Sequence, residues 1–176
     1  MKETLIIAGF GGQGVLSMGK ILAYSGVMQD FEVTWMPSYG PEMRGGTANC
    51  SVTVSDSPIG SPIISHPDIL IAMNLPSLDK YEDSVKPGGQ IYIDSTLIER
   101  KVNRTDVSAF YIPATQMASD SGLTTLANMI IMGKVLKETN GFGENVRDAL
   151  SKVVSAKHAD MLDFNLKALE LGKNFE

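Results

Sequence analysis

The stretch "LIIAGFGGQGV" near the start restricts the fold of this chain more than any other. Thr4 to Ala8 reads as a short apolar strand buried on both faces. Val15 to Met28 reads as a helix, with an apolar stripe from Val15, Leu16, Met18, Ile21, Leu22 and Val27. Between them, Gly9-Phe10-Gly11-Gly12-Gln13-Gly14 fits G-x-G-x-x-G, in the strand–loop–helix context that this fingerprint demands. Glycines permit positive φ and close backbone approach, and the free N–H groups at the helix start attract an anionic phosphate. The residues leave two readings open: a phosphate cradle, or a tight βα turn without a ligand.

A dinucleotide site places an acid at the end of the second strand, about 20 residues on, to hold the ribose hydroxyls. Here that strand, Phe31 to Met36, ends in Thr34-Trp35-Met36-Pro37, and Glu32 lies at its beginning. NAD and FAD are therefore disfavoured, while a phosphate-bearing ligand without that ribose contact stays open. The Walker pattern is absent as well. Lys20 lies on the following helix, where side chains lean back toward the N-terminus. It is either a reach toward an anion at the loop or a solvated surface lysine.

The rest of the chain alternates strands and helices and then turns helical. Thr47 to Val54 alternates, with Ala48, Cys50, Val52 and Val54 on one face, and is expected to pair antiparallel with Phe31–Met36. Asp68–Met73, Gln90–Asp94 and Ala109–Ile112 are further strands, and Pro76 opens a short helix through Ser84. Leu123–Thr139, Glu144–Ser155 and Ala159–Leu171 carry 3.6-residue periodicity. The expected fold is a three-layer α/β/α, Rossmann-like domain over residues 1–176. Its sheet is mixed but mostly parallel, and its C-terminal end is helical. The last helix or two are candidates for packing on a neighbouring subunit, and homodimerisation of the isolated chain through this helical third is a further expectation.

Composition narrows the chemistry. Of 176 residues, 43% are apolar, enough for a real core. A net charge of −5 without a basic block argues against nucleic acid. No apolar stretch reaches the roughly 20 residues of a membrane span, and no signal peptide precedes the first strand, so a soluble cytoplasmic protein is expected. The single cysteine, Cys50, excludes an intrachain disulfide and a Cys-ligated iron–sulfur cluster. His66 and His158 lack neighbours at metal-ligand spacing, and no metal site is expected. No acid–base pair or activated nucleophile can be assembled, so no catalytic residue is assigned.

The loop "PSYGPEMRGG" is stiffened by Pro37 and Pro41 and holds Tyr39, Glu42 and Arg44. Arg44 is either a planar fork for a carboxylate or phosphate or a partner of Glu42 that shapes the loop. Asn74 and Asp94 lie at C-terminal strand ends, where a cap or turn role outweighs a ligand contact.

The blocks "IAGFGGQGV", "PSYGPEMRGGTANCSVTVSDSPIGSP", "PDILIAMN" and "IPAT…GL…NMIIMG" occur in this order over nearly the whole chain. Together they resemble the gamma subunit of 2-oxoacid:ferredoxin oxidoreductases. The resemblance implies a subunit, inactive alone, of an enzyme that converts a 2-oxoacid and coenzyme A to acyl-CoA, CO2 and reduced ferredoxin. It implies alpha and beta partners with thiamine diphosphate between them, a ferredoxin-like partner, and iron–sulfur clusters in those partners. For this chain it implies no tightly bound cofactor but coenzyme A at the surface. The backbone N–H groups of Gly11, Gly12, Gln13 and Gly14 would lie near the coenzyme A phosphates, with Lys20, and with Arg44 on the facing loop. The wording of "PSYGPEMRGG" resembles the 2-oxoglutarate and branched-chain 2-oxoacid classes more than the pyruvate class. Two rival readings remain: a stand-alone module for coenzyme A or a nucleotide, and a purely structural subunit.

Overall fold

Six strands in the order β2-β3-β1-β4-β5-β6 form the sheet in the computed structural model, which describes residues 1–38, 47–139, 145–154 and 156–176. β1 (Lys2–Phe10), β4 (Ile69–Ala72), β5 (Gln90–Asp94) and β6 (Ser108–Ile112) lie side by side and parallel. β3 (Thr47–Ser55) runs antiparallel both to β1 and to the edge strand β2 (Glu32–Ser38), so β3 alone is reversed. Leu5 on β1 stands opposite Val52 on one side and Ile69 on the other. The expected β2–β3 pair is present, and the same strand β3 also separates β2 from β1.

α1 (Val15–Met28), α3 (Ala114–Asp120), α4 (Ala127–Glu138), α5 (Val146–Val153) and α6 (Asp160–Asn174) cover one face of the sheet. Leu5, Ile7, Cys50, Val52, Ile71 and Tyr92 point into that layer. α2 (Leu75–Tyr81) and a 3-10 turn, Glu82–Ser84, lie on the other face, where Leu78, Val85 and Ile98 meet Ile6, Leu70, Ile91 and Ile93. The fold is thus α/β with a mixed, mostly parallel sheet and a helical end, its third layer thinner than the first.

Two of the departures from the sequence expectation have a plain local cause. Pro113 ends β6 but also caps α3, because proline's fixed φ suits a helix start and its missing N–H leaves no donor unpaired there. α4 begins at Ala127, since Gly122 (φ 68°) and the Leu126 N–H···O Leu123 bond make a turn first.

The C-terminal helices pack into this core, which corrects the part of the expectation that set them on a neighbouring subunit in place of the core. Val146, Ala149 and Leu150 of α5 are buried, and α5 lies against α1. Ala168 and Leu169 of α6 are buried against α4. The two helices touch backbone to backbone at Gly133 and Gly172. A Cβ on Gly172 would stand 1.8 Å from the Ile130 carbonyl oxygen, and one on Gly133 2.1 Å from that of Leu169.

Candidate functional site

β1 and β4 end side by side, and the helices that follow them leave over opposite faces, α1 on one and α2 on the other. In open α/β sheets the crevice at such a switch point, at the carboxyl ends of the strands, is where ligands bind. The glycine loop sits there. Gly12 (φ 88°) and Gly14 (φ 72°) both adopt the left-handed conformation that side chains disfavour. Gly14 is the N-cap of α1, and the first turn of that helix holds no acidic residue.

Gln13 turns back into the loop. Its Oε1 accepts the Phe10 N–H at 2.6 Å, and its Nε2 donates to the Met73 carbonyl at 3.1 Å. The Gln13 backbone N–H donates to the Phe10 carbonyl at 3.3 Å, so it is engaged within the loop. Among the described residues, the N–H groups of Gly11, Gly12 and Gly14 have no acceptor. Gly11 and Gly12 are exposed. The N–H groups of the first turn of α1 add to this open, positive end. Such an arrangement can hold an anion through backbone donors alone.

Lys20 is exposed on α1, with its ammonium 5.9 Å from the centre of the Trp35 ring. It lines a shallow apolar groove of about 310 Å³ with Ala23, Tyr24, Val27 and Trp35. Among the described residues Lys20 has no ion-pair partner, and the structure gives it no contact with the glycine loop. Arg44, with Tyr39 and Glu42, lies outside the described residues.

Asn74 and Asp94 act as local caps. Asn74 Oδ1 accepts the Ser77 N–H at 3.0 Å at the start of α2. Fully buried Asp94 accepts from the Thr96 N–H at 3.1 Å and from Thr115 Oγ1 at 2.6 Å. One residue at the loop is missed by sequence reasoning: Asn128, in the first turn of α4, donates through Nδ2 to the Gly14 carbonyl at 3.2 Å. Its Oδ1 is buried without a hydrogen-bond partner among the described residues. The available signal was an asparagine on a helix face otherwise built of Met129, Ile130, Ile131 and Met132.

Cys50 is buried under α1, its thiol 3.5 Å from the Val15 carbonyl. Burial pushes the thiol up to about 12, against a smaller opposing pull from Trp35 and the Gly19 backbone. It is a protonated packing group at neutral pH, not a nucleophile or a metal ligand. His66 Nδ1 lies 3.1 Å from the Ser84 carbonyl, and His158 is exposed. No group of three His, Cys, Asp or Glu side chains suited to a metal ion stands together among the described residues. None of the described helices is long and apolar enough to cross a membrane.

A larger polar cavity, about 370 Å³, opens at the opposite edge of the sheet between Glu3, Asp68, Lys86, Gln90 and Glu138. Glu3, Asp68 and Gln90 stand at the beginnings of β1, β4 and β5, Lys86 in the connection leading into β5, and Glu138 at the end of α4, the edge away from the switch point. The glycine loop, with its open donors, is the better ligand site.

The family model described as pyruvate ferredoxin/flavodoxin oxidoreductase matches residues 4–175. Ketoisovalerate oxidoreductase subunit VorA of Methanothermobacter thermautotrophicus is 41% identical over 168 residues, which cover 94% of this chain and 35% of that protein. 2-Oxoglutarate synthase subunit KorC of Methanocaldococcus jannaschii is 37% identical over 143 residues, 80% of this chain and 76% of that protein. A solved structure of 2-oxoglutarate:ferredoxin oxidoreductase from Magnetococcus marinus, with 2-oxoglutarate, coenzyme A and succinyl-CoA bound, matches with a TM-score of 0.88 and 26% identity. That match covers 99% of this chain and 32% of the Magnetococcus chain. The gamma subunit of a keto/oxoacid ferredoxin oxidoreductase from Geobacter sulfurreducens matches with a TM-score of 0.84 and 26% identity, over 98% of this chain and 94% of that one. The chain therefore spans about a third of VorA and of the Magnetococcus chain, and most of KorC and of the Geobacter subunit.

Proposed function

Because this chain belongs to the pyruvate ferredoxin/flavodoxin oxidoreductase family, we propose that it is the gamma subunit of a multi-subunit 2-oxoacid:ferredoxin oxidoreductase, formed by residues 1–176 as one module. The assembled enzyme acts in the cytoplasm on a 2-oxoacid, with 2-oxoglutarate or a branched-chain 2-oxoacid favoured. It cleaves the bond between the oxo carbon and the carboxylate, releases CO2, and joins the acyl group to the coenzyme A sulfur. Two electrons pass to ferredoxin and one proton is released. The names of the similar ketoisovalerate and 2-oxoglutarate subunits support this choice of substrate class.

This chain's own part is to bind coenzyme A and to assemble with alpha, beta and ferredoxin-like partners. The observation that carries the reading is the glycine loop: open N–H groups at a helix start, at the switch point, with no acid at the end of β2. Coenzyme A offers phosphates to such donors and needs no acid at the end of β2. The coenzyme A held by the Magnetococcus relative supports the same ligand. Gly11, Gly12 and Gly14 donate to a phosphate through their backbones. Lys20, and Arg44 from the facing loop, add positive charge. Thiamine diphosphate and iron–sulfur clusters belong to the partners, where they supply decarboxylation and electron transfer. The lone buried thiol of Cys50 does not fit a cluster ligand.

Two measurements test this. The native protein, isolated through a tag on this chain, should bring down its partners as a brown, thiamine diphosphate-containing complex. A colourless monomer would end the enzyme-subunit reading. In that complex Lys20→Ala should raise the KM for coenzyme A with assembly intact, and an unchanged KM removes Lys20 from the site.

A further inference from the structure

We propose that Gln13 and Asn128 are positioning residues that fix the glycine loop from two sides, and that neither touches the ligand. The proposal rests on the reading of this loop as the coenzyme A phosphate site.

The direct ladder between β1 and β4 ends where the Met73 N–H donates to the Ala8 carbonyl at 2.8 Å. Beyond it, the Phe10 N–H and the Met73 carbonyl are joined only through the Gln13 carboxamide, which accepts from one and donates to the other. A carboxamide carries the same donor and acceptor as a peptide group. Gln13 thus adds one side-chain rung to the ladder, tying the two strand ends together while holding them apart.

The space for that rung comes from Gly9. A Cβ there would lie 2.6 Å from Gln13 Oε1 and 2.8 Å from Met73 Cβ. Gly14 does the same for the second amide, since a Cβ there would lie 2.2 Å from Asn128 Nδ2. Asn128 ties the loop to α4, 114 residues further along the chain. It is 6% exposed, and its unpaired buried Oδ1 is unfavourable in an apolar layer, so the bond to Gly14 is what this asparagine contributes. Two of the three fingerprint glycines therefore make room for clamping amides. Gly12, which stands between the fingerprint positions, has nothing within 4 Å of its missing Cβ and faces outward.

The test uses the complex isolated through this chain, with Gln13→Ala, Asn128→Ala and the double variant. Each single change should raise the KM for coenzyme A about tenfold, leaving kcat and the KM for the 2-oxoacid unchanged. Gln13→Glu keeps the acceptor for Phe10 but loses the donor to Met73, and should behave like alanine. The double variant should be little worse than either single one, because both clamps act through one loop conformation. An unchanged KM for coenzyme A, a multiplicative effect near a hundredfold, or a uniform loss of all parameters with a lowered melting temperature would each overturn the proposal. Hydrogen exchange at the Phe10 amide gives a readout without ligand. Its protection should fall in Gln13→Ala and also in Asn128→Ala, and retained protection in Asn128→Ala would overturn the shared clamp. If the unaltered complex shows no saturable dependence on coenzyme A, the functional reading falls, and Phe10 exchange still decides the clamp.

Discussion

One face of the sheet lies under α1 and α3 to α6; the other lies under α2, a 3-10 turn and the segment 95–107. The thick face is held by interlocking apolar surface and, at Gly133 and Gly172, by two helix backbones in contact. The thin face has fewer apolar side chains and is fastened by polar groups. Glu82, 4% exposed, accepts from Arg100 Nη2 at 2.8 Å and from the Asn103 N–H. Arg100 also reaches Asp79 at 2.7 Å, and Tyr111 Oη accepts the Val102 N–H at 2.9 Å. The difference teaches where each layer is vulnerable: the thick one to added volume, the thin one to a lost hydrogen-bond partner.

The largest effect should come from Gly172→Val. The added atoms meet the Ile130 backbone, which cannot swing aside, so the α4–α6 seam must open. We expect a loss of about 3 kcal/mol in urea unfolding. A change under about 0.5 kcal/mol would break the contrast between the layers.

Glu82→Gln comes next. The amide retains an acceptor for Asn103 but loses the charge that faces Arg100. A loss of about 1–2 kcal/mol is expected, with faster hydrogen exchange confined to residues 99–107. Exchange that rises equally across α4 and α6 would show that the two layers do not unfold separately.

The smallest effect concerns Asp68, at the lower rim of the thin face. Burial acts to raise its carboxyl, but hydrogen bonds from Lys86 at 2.8 Å and from Thr4 outweigh this and hold it below the usual carboxylate range. Its folded value is depressed. Its contribution to stability is therefore complete above the unfolded value and is lost as pH falls through the folded one. Glu3 has the opposite sign: burial, then Asp68, raise its carboxyl, so the fold loses stability as Glu3 ionises with rising pH. Asp68→Asn should flatten the acid limb of the melting curve below about pH 5. An unaltered limb would show that the link between Asp68, Thr4 and Lys86 adds nothing.

Much of this architecture can be read along the chain. The first strand, the glycine turn and α1 follow from local residue types, as do the β2–β3 pair and the caps at Asn74 and Asp94. The four sequence blocks point to the family. What stays hidden depends on partners distant in sequence. Asn128 looks like one polar residue in an apolar helix until α4 is laid against the loop. Gln13 reads as a backbone donor, yet its side chain and its N–H both turn inward. Gly133 and Gly172 show nothing singly, because the contact exists only between them. α3 is masked by Pro113, which signals a strand stop and a helix start with one residue.

Strand β3 has a consequence for ligand choice. β2 runs in the same direction as β1 but is not its neighbour, because β3 occupies the place between them. With strands spaced about 4.8 Å apart, the end of β2 stands about 10 Å from the glycine loop's own strand, twice the separation of adjacent strands. An aspartate grafted onto the end of β2 would therefore miss a ribose seated over the loop. Strand order thus takes away from this loop the acid at the end of a neighbouring second strand on which the usual dinucleotide arrangement relies.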